Sequence, residues 1–266
     1  MDHFEETDVS RIILETYHAK FAKALCSDVA IVGAGPSGLV AAWKLAQAGR
    51  QVVVLEKRLS PGGGVWGGAI GMNDVVIQPE ALAILDAAGV QHQPAGRLHV
   101  ADAMELACAL CIKAKQAGAI ILNLMAVEDI CVRNGRVNGV VANRTMLGES
   151  LPIDPIVFGA KAVIDATGHD AMLVECLQSR GLLDEMGVEG PMNAHAGEQF
   201  VIKNVAEIFP GLWTTGMCVC ASQGGPRMGP IFGGMLLSGQ SVARQVLDSL
   251  AKPGDSRPAA AAMPQA

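Results

Sequence analysis

Two hydrophobic periods divide this chain. Residues 8–25, DVSRIILETYHAKFAKAL, place apolar side chains at helical spacing behind Asp8 or Ser10 as a cap. The next stretch, SDVAIVGAGPSGLVAAWKLAQAGRQVVVLEKR, changes to short unbroken apolar runs. It predicts a buried strand over 28–32, a glycine turn, a helix over 36–48 and a second buried strand over 51–55. A glycine-rich loop covers 60–73, helices are expected over 79–88 and 102–117, and a strand over 120–123. Residues 126–144, AVEDICVRNGRVNGVVANR, alternate as a β-hairpin about Asn134-Gly135. Further strands are expected over 161–165 and 212–216, with helix and loop over 171–190. The last element is a long helix fed by the glycine-rich GGPRMGPIFGG. Strands alternating with helices predict an α/β fold with a parallel sheet.

Composition narrows the class. Half of the 266 residues are hydrophobic and 17% are charged, enough for one sizeable core. One domain is expected over 1–251, including the N-terminal helix, with a disordered Pro/Ala-biased tail over 252–266. A net charge of −6 disfavours a nucleic-acid surface. No apolar run approaches the roughly 20 residues of a membrane span, and the N-terminus carries acidic residues rather than a signal-peptide core. Cys108 and Cys111 form a CxxC inside the helical pattern MELACALCIKAK, with apolar neighbours and no second pair. They read as buried, reduced thiols of a cytoplasmic protein, and Cys218 and Cys220 read the same way.

The candidate chemistry begins at Gly33-Ala34-Gly35-Pro36-Ser37-Gly38. A strand precedes this GxGxxG, a helix follows, and Glu56 ends the next strand. Gly33 serves the tight turn, Gly35 the close approach of a pyrophosphate, and Gly38 the packing of helix on strand. The helix N-terminus offers amide donors and a positive dipole to the phosphates, and Glu56 can accept the ribose hydroxyls. The pattern predicts a dinucleotide-binding, Rossmann-like FAD/NAD(P)-type fold of three layers with a β-hairpin insertion. A carboxylate at 56 favours NAD or FAD over NADP. Met217 stands after the late strand TTGMCV, where two-dinucleotide flavoproteins carry an acid, and this weighs against flavin chemistry.

The stretch LPIDPIVFGAKAVIDATGH, 151–169, holds Asp154 and His169 at its two ends. A carboxylate and a neutral imidazole are suitable ligands for Fe(II). By spacing alone, two plainer roles stand beside that one: Asp154 as the cap of a turn before Pro155, and His169 as a polar residue after a strand. His92, His99 and His195 read as surface or loop residues, and of Lys57 and Arg58, which flank Glu56, one reads as a phosphate-facing cation and the other as solvated.

Several segments together, DVAIVGAGPSGL, VVLEKR, the GGG–WGG loop, IDP with ATGHD, and GGPRMGPIFGGMLLSG, resemble the thiamine thiazole synthases. The similarity covers about 25–250 and is nearest to the archaeal and bacterial sulfide-dependent branch. That resemblance implies that NAD is consumed rather than used as a hydride carrier. Nicotinamide leaves, the opened ADP-ribose condenses with glycine, and sulfur is added to give an adenylated thiazole carboxylate. It further implies Fe(II), a homo-octamer, and roles residue by residue. Ser37, Glu56, Lys57 and Gly64 would hold the adenosine and pyrophosphate. Val127, Met217 and the segment Pro152, Ile153 and Asp154 would line the dinucleotide. Asp154 and His169 would bind the iron, and Arg227 the carboxylate of glycine.

Pro152 departs from the family pattern. Eukaryotic relatives carry a sulfur-donating cysteine there, and sulfide-using relatives usually a histidine. Proline can neither give sulfur nor bind metal. Free sulfide is therefore the expected donor. Two other readings stay open at this point: a flavin-dependent oxidoreductase on the same fold, and a homologue that binds an NAD derivative without turning it over.

Overall fold

The structure is a computed structural model that describes residues 4–68, 70–145, 153–185 and 187–251. Pro152 and the tail over 252–266 lie outside the described residues. In chain order the strands are β1 (Cys26–Val32), β2 (Val52–Glu56), β3 (Asp74–Ile77), β4 (His92–Ala95), β5 (Leu98–Asp102), β6 (Ile120–Asn123), β7 (Met125–Arg133), β8 (Arg136–Arg144), β9 (Ile156–Asp165), β10 (Gly190–Met192), β11 (Glu207–Phe209), β12 (Leu212–Thr214) and β13 (Pro226–Arg227). The helices are α1 (Glu6–Ala24), α2 (Pro36–Gln47), α3 (Leu82–Ala88), α4 (Ala103–Gln116), α5 (Met172–Ser179), α6 (Ala194–Lys203), α7 (Met217–Gln223) and α8 (Gly233–Leu250).

The main sheet runs β11-β12-β9-β1-β2-β6, and all its pairings from β12 to β6 are parallel. Strands β1 and β2 are apolar on both faces because both faces are covered. Val29, Ile31, Val52 and Val54 pack into a core with α2, α4 and α8. Ala30, Val32, Val53 and Leu55 pack on the other side against the β7–β8 hairpin and α5. The result is the expected three-layer α/β arrangement. The hairpin joins the sheet through β8, which pairs antiparallel with β9. Its turn is read correctly from sequence: Asn134 and Gly135 both have positive φ, 52° and 69°, as a two-residue type I′ turn requires.

The structure corrects several expectations. The strand predicted over 161–165 begins at Ile156, because antiparallel pairing with β8 orders Ile156 through Gly159. The strand over 212–216 stops at Thr214, since Gly216 turns with φ 66°. A three-stranded antiparallel sheet, β3-β5-β4, was not anticipated. It makes His92 and His99 half-buried partners, their Nδ1 atoms 3.2 Å apart, with Asp86 against His92 Nε2 at 3.0 Å. All seven cysteines are free, but Cys108 is exposed and Cys111 only partly buried on α4. The helix turns position 108 away from the core face formed by Leu106, Ala107 and Leu110. Partial burial still pushes the Cys111 thiol up to about 11.

α1 stands largely off this body. Of its residues only Ala24 is buried, and a tilted Tyr17–Phe21 contact and an edge-on Phe21–Phe158 contact hold its C-terminal end. Ile12, Ile13 and Leu14 are exposed. No helix among the described residues is long and apolar enough to cross a membrane.

Candidate functional site

The chain runs β1, β2, β6 to one side of the sheet and returns to place β9 on the other side of β1. The crevice at the C-terminal ends of β1 and β9 is therefore a topological switch point, where α/β sheets bind ligands. A cavity of about 640 Å³ opens there. Its wall includes Gly33, Gly35, Pro36 and Ser37 from the first loop, Glu56 and Lys57 after β2, and Gly63 and Gly64 from the second glycine loop.

The glycines divide their work as their environments dictate. Gly33 has φ +99°, and a Cβ there would lie 2.4 Å from the Ala166 carbonyl oxygen. A Cβ on Gly38 would meet the Gly33 carbonyl at 2.2 Å, so Gly38 is a packing residue and does not line the cavity. Gly35 is different. It precedes α2 with φ −69°, and an added Cβ would meet nothing within 4 Å. What that glycine keeps open is cavity space before a helix N-terminus, as an approaching pyrophosphate needs. Glu56 is buried, accepting from Ala34 N through Oε2 and from Arg58 N through Oε1, each at 2.8 Å. Those bonds aim the carboxylate and leave lone pairs on both oxygens for further donors.

Opposite, the turn after β9 brings His169 and Asp170 to the cavity. Asp165, fully buried at the end of β9, shapes that turn. Its Oδ1 accepts from Thr167 N (3.0 Å) and Thr167 Oγ1 (2.7 Å), and its Oδ2 from Leu173 N (2.8 Å). Burial pushes the Asp165 carboxyl up, and these donors oppose that shift. Asp170 pairs with Lys57 at 3.0 Å across the mouth. His169 Nδ1 lies 3.1 Å from Glu189 Oε2 with hydrogen-bond geometry and 3.0 Å from Oε1. Neither Asp165 nor Glu189 was singled out from sequence. A carboxylate is recognisable as an orienting group only once its partner, eight or twenty positions away, is beside it in space.

Val127, Met217 and Arg227 also line the cavity. Arg227 sits on β13, and no carboxylate among the described residues pairs with its guanidinium. A cation without a counter-ion in a ligand-sized cavity is suited to a substrate carboxylate.

The expected Asp–His pair does not form within one chain. Asp154 precedes β9 and His169 follows it, and an extended run of ten residues spans roughly 30 Å. Asp154 and Ile153 are exposed and absent from the cavity wall. Among the described residues no group of three or more His, Cys, Asp or Glu side chains is placed to hold a metal ion. His195 lies on α6, exposed, within 3.2 Å of Gln199, and is not part of the wall.

The comparisons with known proteins agree with this geometry. A thiamine thiazole synthase of Thermococcus kodakarensis is 49% identical over 249 residues, which are 93% of this chain and 99% of that protein. One from Thermotoga maritima is 49% identical over 245 residues, 91% of this chain and 97% of that protein. The crystal structure of Thermovibrio ammonificans THI4 superposes with a TM-score of 0.91 at 41% identity, covering 94% of this chain and all of the other. The profile described as the Thi4 family matches residues 10–232. With that match spanning most of its length, the chain belongs to the Thi4 family.

Proposed function

We propose that this protein is a thiamine thiazole synthase that builds an adenylated thiazole carboxylate from NAD, glycine and free sulfide with Fe(II). The observation that carries the reading is one cavity walled by a glycine-rich loop before a helix, an oriented imidazole and an arginine that no carboxylate among the described residues pairs with. Its volume is within the ordinary range for small-molecule sites. The α2 N-terminus and Gly35 receive the pyrophosphate, Glu56 the adenosine ribose, and Lys57 gives up Asp170 for a phosphate oxygen. Arg227 grips the glycine carboxylate with two parallel N–H donors and holds the amine toward the opened ribose. Val127 and Met217 exclude water around the reacting carbons.

The donors suit Fe(II). His169 commits Nδ1 to the Glu189 carboxylate, which leaves its other ring nitrogen for a metal. Bound iron would supply a Lewis acid for a carbonyl or imine. Asp154 of a second copy completes the ligand set, because the same chain's Asp154 is too far away. A homo-oligomer, an octamer by family resemblance, is therefore required for activity, and the exposed apolar residues Ile153 and Val157 beside Asp154 suit a subunit interface.

Free sulfide is the sulfur source in this reading. No cysteine is among the residues lining the cavity, and position 152 is proline. Anaerobic incubation with NAD, glycine, sulfide and Fe(II), followed by mass spectrometry, tests the proposal. The expected product is the adenylated thiazole with the polypeptide mass unchanged. Nicotinamide release without thiazole, or sulfur lost from the polypeptide, would overturn it.

A further inference from the structure

The segment 187–190 is pinned in an unusual way. Gly187 has φ +136°, and a Cβ there would lie 2.9 Å from the backbone of Gly224. Gly190 N donates to the Gly225 carbonyl at 2.9 Å, and β10 then pairs with β13, Gly190 opposite Pro226 and Met192 opposite Arg227. Glu189 is thus held between two fixed glycines, on the same ribbon that carries Arg227. Its side chain is mostly buried, with relative exposure of 21%, while that of His169 is 49%. The carboxylate meets the imidazole rather than the guanidinium, which leaves Arg227 available to substrate.

The direction of that hydrogen bond has a chemical consequence. A carboxylate can only accept, so a neutral His169 must carry its proton on Nδ1. The lone pair is then on Nε2, the nitrogen across the ring. Metal-binding histidines are commonly set this way, by a carboxylate on the nitrogen that does not bind the metal.

We propose that Glu189 is a positioning residue that fixes the tautomer and ring plane of His169, presenting Nε2 to the cavity as a bare donor for a divalent metal. The inference rests on the metal reading above but makes a separate statement about the apo protein. Glu189 acts through His169 and takes no place in the coordination shell. A carboxamide at 189 can still accept from Nδ1–H, whereas a methyl group cannot.

The test has two readouts on the full-length protein. Long-range ¹⁵N–¹H NMR of histidine-labelled apo protein, at a pH where His169 is neutral, should show Nδ1–H in the parent and in Glu189→Gln. In Glu189→Ala the proton should move toward Nε2. Anaerobic titration with Co(II) should show affinity falling about 10–100-fold in Glu189→Ala and less in Glu189→Gln. Circular dichroism confirms that the variants fold, and Glu189→Gln keeps the shape of the side chain. A His169 tautomer unchanged by Glu189→Ala overturns the proposal. So does a Glu189→Gln variant as impaired in Co(II) binding as Glu189→Ala, since that is the behaviour of a direct ligand. A parent protein with the Nδ1–H tautomer but no Co(II) binding removes the metal reading and supports the Glu189–His169 assignment.

Discussion

At the scale of single residues, two glycines of one motif separate binding from stability. Gly35 faces open space with an ordinary φ of −69°, so Gly35→Val strains nothing in the protein and fills the approach to the phosphates. We expect NAD affinity to fall on the order of tenfold or more, with unfolding free energy changed by less than about 0.5 kcal/mol. Gly33→Ala should do the reverse, costing about 2 kcal/mol or more, because φ +99° and the Ala166 carbonyl both exclude a side chain. Isothermal titration and urea unfolding of the two variants separate the effects. Glu198 offers a second contrast. It lies on α6, buried against the start of α8, where its Oε2 accepts from Gly234 N at 2.5 Å and from Gln78 Nε2. Glu198 Oε1 and Gln78 Oε1 have no hydrogen-bond partner among the described residues. Burial pushes its carboxyl above the ordinary 4.5, so the folded state holds a proton at pH values where the unfolded chain has lost it. That carboxyl therefore erodes stability as pH rises from the unfolded value through the folded one. Glu198→Gln stays neutral, and its amide can donate to Gln78 Oε1. It should be more stable than the parent by about 1 kcal/mol at pH 7, and the gain should shrink below pH ~4.5, where both states of the parent are protonated. Equal stabilities at both pH values would refute this.

At the scale of elements, the site is assembled by ends rather than by bodies. β1 and β9 each stop at the crevice, and the turn after each contributes groups to the cavity. Asp165 ties the end of β9 to the start of α5 and so sets where His169 projects. The β10–β13 ribbon does the same for Glu189 and Arg227. Gly187→Ala is the change aimed at that ribbon alone, since its Cβ would press on Gly224 far from the dinucleotide loop. We expect the glycine KM to rise and Co(II) binding to weaken together, with NAD affinity within about twofold of the parent. Loss of NAD binding in that variant would show that the ribbon and the nucleotide loop are not separable parts.

At the scale of the whole molecule, the proposed metal site needs residues from two copies of the chain. The ten-residue β9, roughly 30 Å long, lies between Asp154 and His169. Asp154→Ala and His169→Ala assemblies should each be inactive. Co-expressed, they should regain activity, because an interface pairing the two variants contains one site with both ligands intact. Recovery is read as thiazole formed per subunit after both chains are purified by separate tags. No recovery would mean that the two residues belong to different sites.

The sequence by itself determined the glycine-loop half of this protein. Apolar runs, a GxGxxG and a terminal Glu56 are local in the chain, and the physics they encode is local too: a tight turn, a helix dipole, a close backbone approach. The Asn134-Gly135 hairpin was legible for the same reason. Only the tertiary structure decided the other half. The small β3-β5-β4 sheet lacks a clean alternation, and β9 owes its first residues to a neighbour's hydrogen bonds rather than to its own pattern. Asp165 and Glu189 matter through partners that the fold brings near. Asp154, read from the sequence as half of a metal pair, stands at the opposite end of a ten-residue strand from the histidine it was matched with. Sequence spacing counts residues, whereas a strand converts them into distance.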